Sequence, residues 1–544
     1  MAWMLLLCAA APMADFPVAD TLVICPAAFV APLEPWIVHR TRQGHQVQLF
    51  TEVASAAAIR AAIQQRARHG GLRYVLLAGD AQPAESPLAS SSAGAGVPTG
   101  VIPARVNIRW GSEPEIASDN YYADLDDDGL PELAVGRLSA RTPADLQIQV
   151  RKILAYETVS DHGLWQRQIN LVAGLGSFGV LTDSVLELAT KKFLTTGIPA
   201  AYQTSMTYGN WSSPYCPDPR RFRETTLRRL NEGCLFWIYL GHAHRSYLEP
   251  VQVPGGAFAV LDTRDAAQLN AVAGLPIALL LTCYAGAFDR REDCLAESLV
   301  RASGGPVAAI CGSRVTMPYG MAVLADALLD EYFVQRQPTL GDLLLAAKRQ
   351  MGQDESDHAR RQLLDGLASS LSPAADQLTE ERLEHVALFN LLGDPLLRLP
   401  QPSPIELEMA ETARGGQILT VRGHCELAGD GRIELVCRRD RTRSALGVRR
   451  QFVPTHEFLQ AFEDTYHQAN DHVWLAQPFR FPGGPFELPL ELPPECSGPC
   501  HVRAWVADSQ CAALGAADVF VYRSAAQQLP VVREAGRTPW PLAR

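Results

Sequence analysis

Two apolar runs of this chain each end on a side chain able to take part in acyl transfer. CLFWIYL (234–240) is followed by Gly241 and His242, and PIALLL (276–281) is followed by Thr282 and Cys283. A thiolate is a strong nucleophile, and an imidazole within hydrogen-bond reach can take the thiol proton or stabilise the charge that results. Continuous apolar runs of this length predict strands covered on both faces, and open α/β sheets build their sites beyond the carboxyl ends of such strands. About thirty residues, with a helix predicted over 264–271, separate the two runs, enough for a crossover joining parallel neighbours. Adjacent strands lie roughly 4.8 Å apart, so His242 and Cys283 are expected to face each other. The turns 241–243 and 283–286 would then offer backbone N–H groups to a developing oxyanion. The spacing also admits a metal reading with His242, His244 and Cys283 as ligands, although no fourth ligand is evident.

The elements that must position this pair alternate in the manner of an α/β protein. DTLVIC (20–25), 46–50 and RYVLL (73–77) read as strands, with the Ala-rich 54–68 between them as a helix and 83–100 as a loop. A helix over 143–156 closes a first unit, expected to span 17–160. A second unit, 161–402, opens with a strand at 168–173 and a helix at 182–194 and contains the two reactive strands and PVAAIC (306–311). After Pro404 short alternating runs separated by Gly, Pro and Asp predict a β-sandwich over 403–525, followed by a tail over 526–544.

Of the 544 residues 47% are hydrophobic and 20% charged, values that exclude a disordered or fibrous chain. A formal net charge of −11 disfavours a polyanion-binding surface, so no nucleic-acid role is expected. The apolar stretch Met4–Ala11, followed by small residues, predicts an export signal over 1–14, although no Lys or Arg precedes it. No other apolar run approaches the roughly 20 residues that span a bilayer, so no transmembrane span is expected. Asp124, Asp126, Asp128 and Gly129 match the opening of a calcium loop, with Glu132 in the ninth position; Val135 stands where a bidentate Glu would close it. A structural calcium ion and a plain acidic turn both fit this segment. Two Arg-rich stretches, 220–229 and 439–450, are expected to be solvated faces of a helix and a hairpin. Cys496 and Cys500 form the one close cysteine pair, read either as a small disulfide or as two separate thiols.

The residues around His242 and Cys283 resemble the gingipain-type peptidases, family C25 of the caspase-like clan CD. The resemblance rests on YLGHAHRS (239–246), LLTCYAGAFD (280–289), Ala296-Glu297 and Gly304-Gly305-Pro306-Val307. It extends upstream through SDNYYADLDDDGLPELAVGRL (118–138) and KILAYE (152–157) and downstream to NLLGDP (390–395), nearly continuous from Asp20 to Pro400. It implies two caspase-like open α/β sheets followed by an all-β immunoglobulin-like sandwich. It further implies a cysteine endopeptidase acting on polypeptides through an acyl-enzyme, with no required cofactor and a secreted, periplasmic or cell-surface location. By this resemblance Cys283 is the nucleophile, His242 its base or imidazolium partner, and the N–H groups of Ala243 and Cys283 form the oxyanion hole. Asp183 is placed like the family's acidic residue that reads a basic P1 side chain, and is equally placed to cap the helix it opens. One departure stands out: the family has Gly and then a small hydroxyl residue after the catalytic His, where this chain has Ala243 and His244. That change also fits an inactive binding or assembly protein on the same fold, and a sortase-like transpeptidase would use the same nucleophile.

Overall fold

The structure, a computed structural model, describes residues 19–524 except 54, 82–95, 159–162, 175–196, 354–357, 373 and 448. The predicted export signal, the loop over 83–100 in most of its length, the helix at 182–194 with Asp183, and the tail after 525 therefore lie outside the described residues. Ten strands form one sheet. In chain order they are β1 (Thr21–Ile24), β2 (Val47–Phe50), β3 (Tyr74–Ala78), β4 (Ala134–Leu138), β5 (Gln168–Ala173), β6 (Gln203–Tyr208), β7 (Phe236–Leu240), β8 (Ile277–Leu281), β9 (Ala308–Gly312) and β10 (Phe389–Leu392). Their order across the sheet is β2-β1-β3-β4-β10-β9-β8-β7-β5-β6. All neighbours run parallel except β9 and β10.

The central strands are apolar along their whole length because both faces are covered: every residue of β3, β8 and β9 is buried. The two open sheets expected of the two units meet edge to edge. β10, supplied by the end of the second unit, touches β4 through a single in-register pair, Leu392 and Arg137, and Gly393 N–H bonds Arg137 O at 2.8 Å. Arg137, fully buried, then spends its guanidinium on Asp119 at 2.7 and 2.8 Å and on the carbonyls of Gly79 and Val97. The NLLGDP segment has a similar bracing role. Asp394 accepts from Trp36 and from Arg40, both on the helix α1 (Val30–Arg42), and so pins that helix beneath the sheet. The connection between β7 and β8 contains a 3₁₀ turn, Thr263–Gln268, in place of the predicted helix, closed by a capping box between Asp262 and Asp265.

The C-terminal unit is all-β in its framework: β11 (Ile418–Cys437), β12 (Val473–Glu491), β13 (Gly498–Ala507) and β14 (Ala512–Tyr522). Where short alternating runs are predicted, β11 is one long strand of 20 residues whose register shifts between Cys425 and Ala428. An unpredicted helix, α2 (His456–Asn470), interrupts this unit. It starts at Thr455, whose side chain caps Phe458 N, and presents Leu459, Phe462 and Tyr466 to the second α/β unit. Its last residue, Asn470, accepts from Met206 N at 2.7 Å and donates to Met206 O at 3.0 Å. One side-chain amide thus pairs with the backbone of β6, an edge strand that would otherwise invite intermolecular pairing.

The Arg-rich stretch 439–450 is not a solvated hairpin face. Arg439 donates to the carbonyls of Ile198, Pro199 and Tyr202, and burial pushes its guanidinium down to about 9. Arg449 lies 3.7 Å from the Phe462 ring centre and donates to Ser213 O and Cys216 O. Both guanidiniums bind carbonyls where the chain turns, two of which, Pro199 O and Ser213 O, also accept from backbone N–H groups, and this fastens the sandwich to the second α/β unit. Among the described residues no helix is long and apolar enough to cross a membrane.

Candidate active site

β7 and β8 are adjacent and parallel, with Leu240 opposite Leu281. His242 and Cys283 therefore each stand two residues beyond matched strand ends. Gly241 makes the exit from β7 feasible. Its φ is +155°, and a Cβ there would come within 3.0 Å of the Gly174 backbone, which bonds Leu240 O as β5 ends. The carbonyl of His242 is fixed from two directions, by the buried Tyr239 hydroxyl at 2.7 Å and by Glu249 N–H at 3.0 Å. The ring of His242 is half-buried.

The next two residues, Ala243–His244, form a short antiparallel ladder with Tyr247–Leu248. In such ladders hydrogen-bonded and non-bonded pairs alternate. The Glu249–His242 bond makes 242/249 a bonded pair, so Ala243 and Leu248 are the non-bonded pair, and Leu248 N–H turns outward to Leu261 O. Ala243 N–H consequently points away from the ladder. His244 is exposed and stacks on Tyr247 at 5.1 Å. The metal reading fails here: among the described residues the one group that brings three ligand atoms together is Asp124, Asp126 and Asp128.

Cys283 is half-buried, and its Sγ accepts from Thr316 N–H at 3.3 Å. Five other thiols of the α/β units are packed in the core. Burial pushes Cys25 up to about 11 and Cys216 up to about 12, and raises Cys234, Cys294 and Cys311 further. Beyond Cys283 the backbone donors are used one after another: Tyr284 N–H bonds Arg314 O, Ala285 N–H bonds Cys283 O, and Gly286 N–H bonds Gly312 O. The N–H of Cys283 has no such partner among the described residues. Gly286 is required by packing, since a Cβ there would lie 2.4 Å from Cys311 Sγ. A thiol, an imidazole and two outward N–H groups thus gather at the ends of two neighbouring central strands.

The sequence profile of peptidase family C25 matches residues 14–400. The chain belongs to peptidase family C25. Gingipain R2 of Porphyromonas gingivalis is 22% identical over 330 residues, covering 58% of this chain and 40% of that protein. Lys-gingipain of the same organism is 28% identical over 164 residues, 29% of this chain and 8% of that protein. The chain thus spans less than half the length of these relatives. The crystal structure of the Arg specific cysteine proteinase gingipain R superposes with a TM-score of 0.51 at 15% identity, covering 94% of this chain and all of that one. The C25 fold, a caspase-like α/β region followed by an all-β domain, is therefore present throughout.

Buried and acidic side chains brace the site from below. Glu297 is fully buried, accepts from Cys294 N–H and from Ser139, and pairs with Arg301, which ties the helix after the Cys283 loop to the end of β4. In the acidic loop Asp124 accepts from Asp127 and Gly129 N–H, and Asp128 accepts from Leu130 N–H, leaving the three carboxylates with ligand atoms within 4.8 Å of one another. That donor set suits a hard cation. Glu132 stays outside it, accepting from Leu125 N–H at 2.7 Å and lying 3.6 Å from Arg349. Sequence reasoning did not reach Thr316, Glu113 or Arg314, which surround the Cys283 loop from segments distant in the chain. No local spacing marks them.

Proposed function

We propose that this chain is a cysteine endopeptidase with Cys283 as nucleophile and His242 as its proton-transfer partner. The observation that carries this reading is the in-register placement of a half-buried thiol and an imidazole beyond two adjacent parallel strands in a C25 chain. His242 takes the thiol proton and the thiolate attacks the scissile carbonyl carbon. The oxyanion then faces the N–H groups of Ala243 and Cys283. Collapse expels the amine, which takes its proton from the imidazolium, and leaves a thioester on Cys283. Water, deprotonated by His242, hydrolyses that thioester and frees the thiol. Replacement of the family's hydroxyl residue by His244 leaves this scheme intact, because the donor at this point is the backbone N–H of Ala243.

A preference for a basic P1 residue is part of the proposal. It draws on relatives whose names carry Arg and Lys specificity, and it assigns the recognising carboxylate to Asp183. Asp124, Asp126 and Asp128 would hold a calcium ion that steadies their loop, and no catalytic step runs through it. The apolar stretch Met4–Ala11 supports export.

The test is peptide cleavage across a P1 library together with labelling by an acyloxymethyl ketone. Cys283→Ala should abolish both, and His242→Ala should cost about 1,000-fold or more, while His244→Ala stays within about threefold of wild type. Full turnover by Cys283→Ala would end the reading, and a wild-type profile indifferent to basic P1 residues would end the specificity claim.

A further inference from the structure

Tyr284, the residue after the nucleophile, has φ +58°. A bulky residue in the left-handed region is held there by its surroundings. Here the holding is visible. The Tyr284 hydroxyl donates to Glu113 Oε2 at 2.9 Å, and the other oxygen of Glu113 accepts from Arg290 at 3.0 Å. Glu113 comes from the first α/β unit, just before the strand Glu115–Ser118, 171 residues away from Tyr284 in the chain. The far side of the turn is closed by Arg314, which receives Tyr284 N–H on its carbonyl. The Arg314 guanidinium grips Asp289 at 2.7 and 2.9 Å and reaches Glu115 O at 3.0 Å. Burial and the Glu113 carboxylate push the phenol up to about 12, so it remains a donor across the working range of a thiol enzyme.

The left-handed turn matters to Cys283 itself. It lets Ala285 N–H fold back onto Cys283 O at 2.7 Å and carries the chain down to Gly286 against Cys311, which leaves the Cys283 N–H without a backbone partner among the described residues and its Sγ against Thr316. The geometry points to a latch: Tyr284 and Glu113 are positioning residues that hold the nucleophile loop in its left-handed turn, and so set the direction of Cys283 Sγ and of its oxyanion-hole N–H. The inference rests on Cys283 being the nucleophile. It makes the first α/β unit a working part of the active site.

The experiment uses the full chain and two readouts: steady-state kinetics, and the iodoacetamide alkylation rate of Cys283 as a function of pH, which needs no turnover. Tyr284→Phe keeps the ring and removes the hydroxyl. It should lower kcat about 10- to 100-fold with KM within about threefold, and slow alkylation at every pH, because a small misdirection of reacting atoms costs on this scale. Glu113→Ala should match it, Glu113→Gln, which keeps an acceptor oxygen, should recover most of kcat, and the Tyr284→Phe/Glu113→Ala double variant should fall no further than either single one. Wild-type kcat and alkylation in folded Tyr284→Phe would overturn the latch. Should that variant not fold, wild-type behaviour of Glu113→Ala would overturn it equally. Cys283→Ala, measured beside them, separates the two failures: if it stays active the nucleophile assignment is wrong, and if it is dead while the latch variants are unaffected only the latch is wrong.

Discussion

Glu434 lies on β11 with 2% of its surface exposed, at the junction of sandwich and catalytic unit. Its two oxygens accept from Arg167, just before β5, at 2.7 Å and from Arg503, on β13, at 2.8 Å, and Arg432 approaches at 3.2 Å. Burial alone would raise this carboxyl, yet Arg167 and Arg503 outweigh it and hold it low. The cations are strained in turn: burial and Arg167 push Arg503 down to about 10. Glu434→Ala would leave two buried guanidiniums without the carboxylate between them, and two unit charges about 5 Å apart repel by about 3 kcal/mol at an effective dielectric of about 20. With the lost charge-assisted hydrogen bonds, the expected destabilisation is about 3–5 kcal/mol, the usual cost of removing one partner from a buried ionic group. Urea unfolding followed by tryptophan fluorescence should show the midpoint fall. Hydrogen exchange should rise along β6 and β13, on either side of the contact. The triple variant Arg167→Met/Glu434→Leu/Arg503→Met should recover most of the loss, because the desolvation penalty goes with the charges. A loss below about 1 kcal/mol in Glu434→Ala would refute the view that this carboxylate ties the two units together.

Two further predictions concern pH and calcium. Glu381 is fully buried, with one oxygen on Gly320 N–H and the other without a partner among the described residues, and burial pushes its carboxyl up to about 7. The stability linked to a raised carboxyl is complete below its unfolded value near 4.5 and is lost as pH rises through 7. Glu381→Gln should therefore gain on wild type by about 3 kcal/mol between pH 5 and pH 8, and a pH-independent gap between the two unfolding curves would contradict the assignment. Calcium at about 100 times its dissociation constant should stabilise the chain by about 3 kcal/mol, and Asp126→Asn/Asp128→Asn should abolish the rise in unfolding temperature without altering the pH dependence of Cys283 alkylation; no shift in wild type would return the loop to an acidic turn.

The reactive strands were legible because their evidence is local: an apolar run buried on both faces announces itself, and the residue after it falls at the strand's end. The joining of two half-sheets was not, since β4 and β10 meet through one residue pair more than 250 positions apart. The helix His456–Asn470 carried a readable signal, Thr455 as cap and Leu459, Phe462 and Tyr466 on one face, which the all-β reading of the surrounding sequence obscured. Charge was the least legible feature. A run of arginines reads as a solvated face when each is assigned to water, but Arg439 and Arg449 are matched to carbonyls of another unit, and no pattern within 439–450 encodes those partners.

The same division separates the two requirements of the chemistry. Placing His242 beside Cys283 needs only strand order and register, which depend on apolar runs and tolerate change in the loops. Aiming them is a matter of backbone direction after the strands end, set here by partners outside the strand ladder, near in the chain for His242 and remote for Cys283. Tyr239 and Glu249 fix the His242 carbonyl, Arg314 and Glu113 fix Tyr284, and Thr316 bounds the sulfur. A chain can therefore keep a His and a Cys at these strand ends while varying the residues next to them, provided that these supports hold the turns. What decides activity in such a site is the support of the turns, because strand pairing brings the reacting atoms near one another whether or not they are aligned.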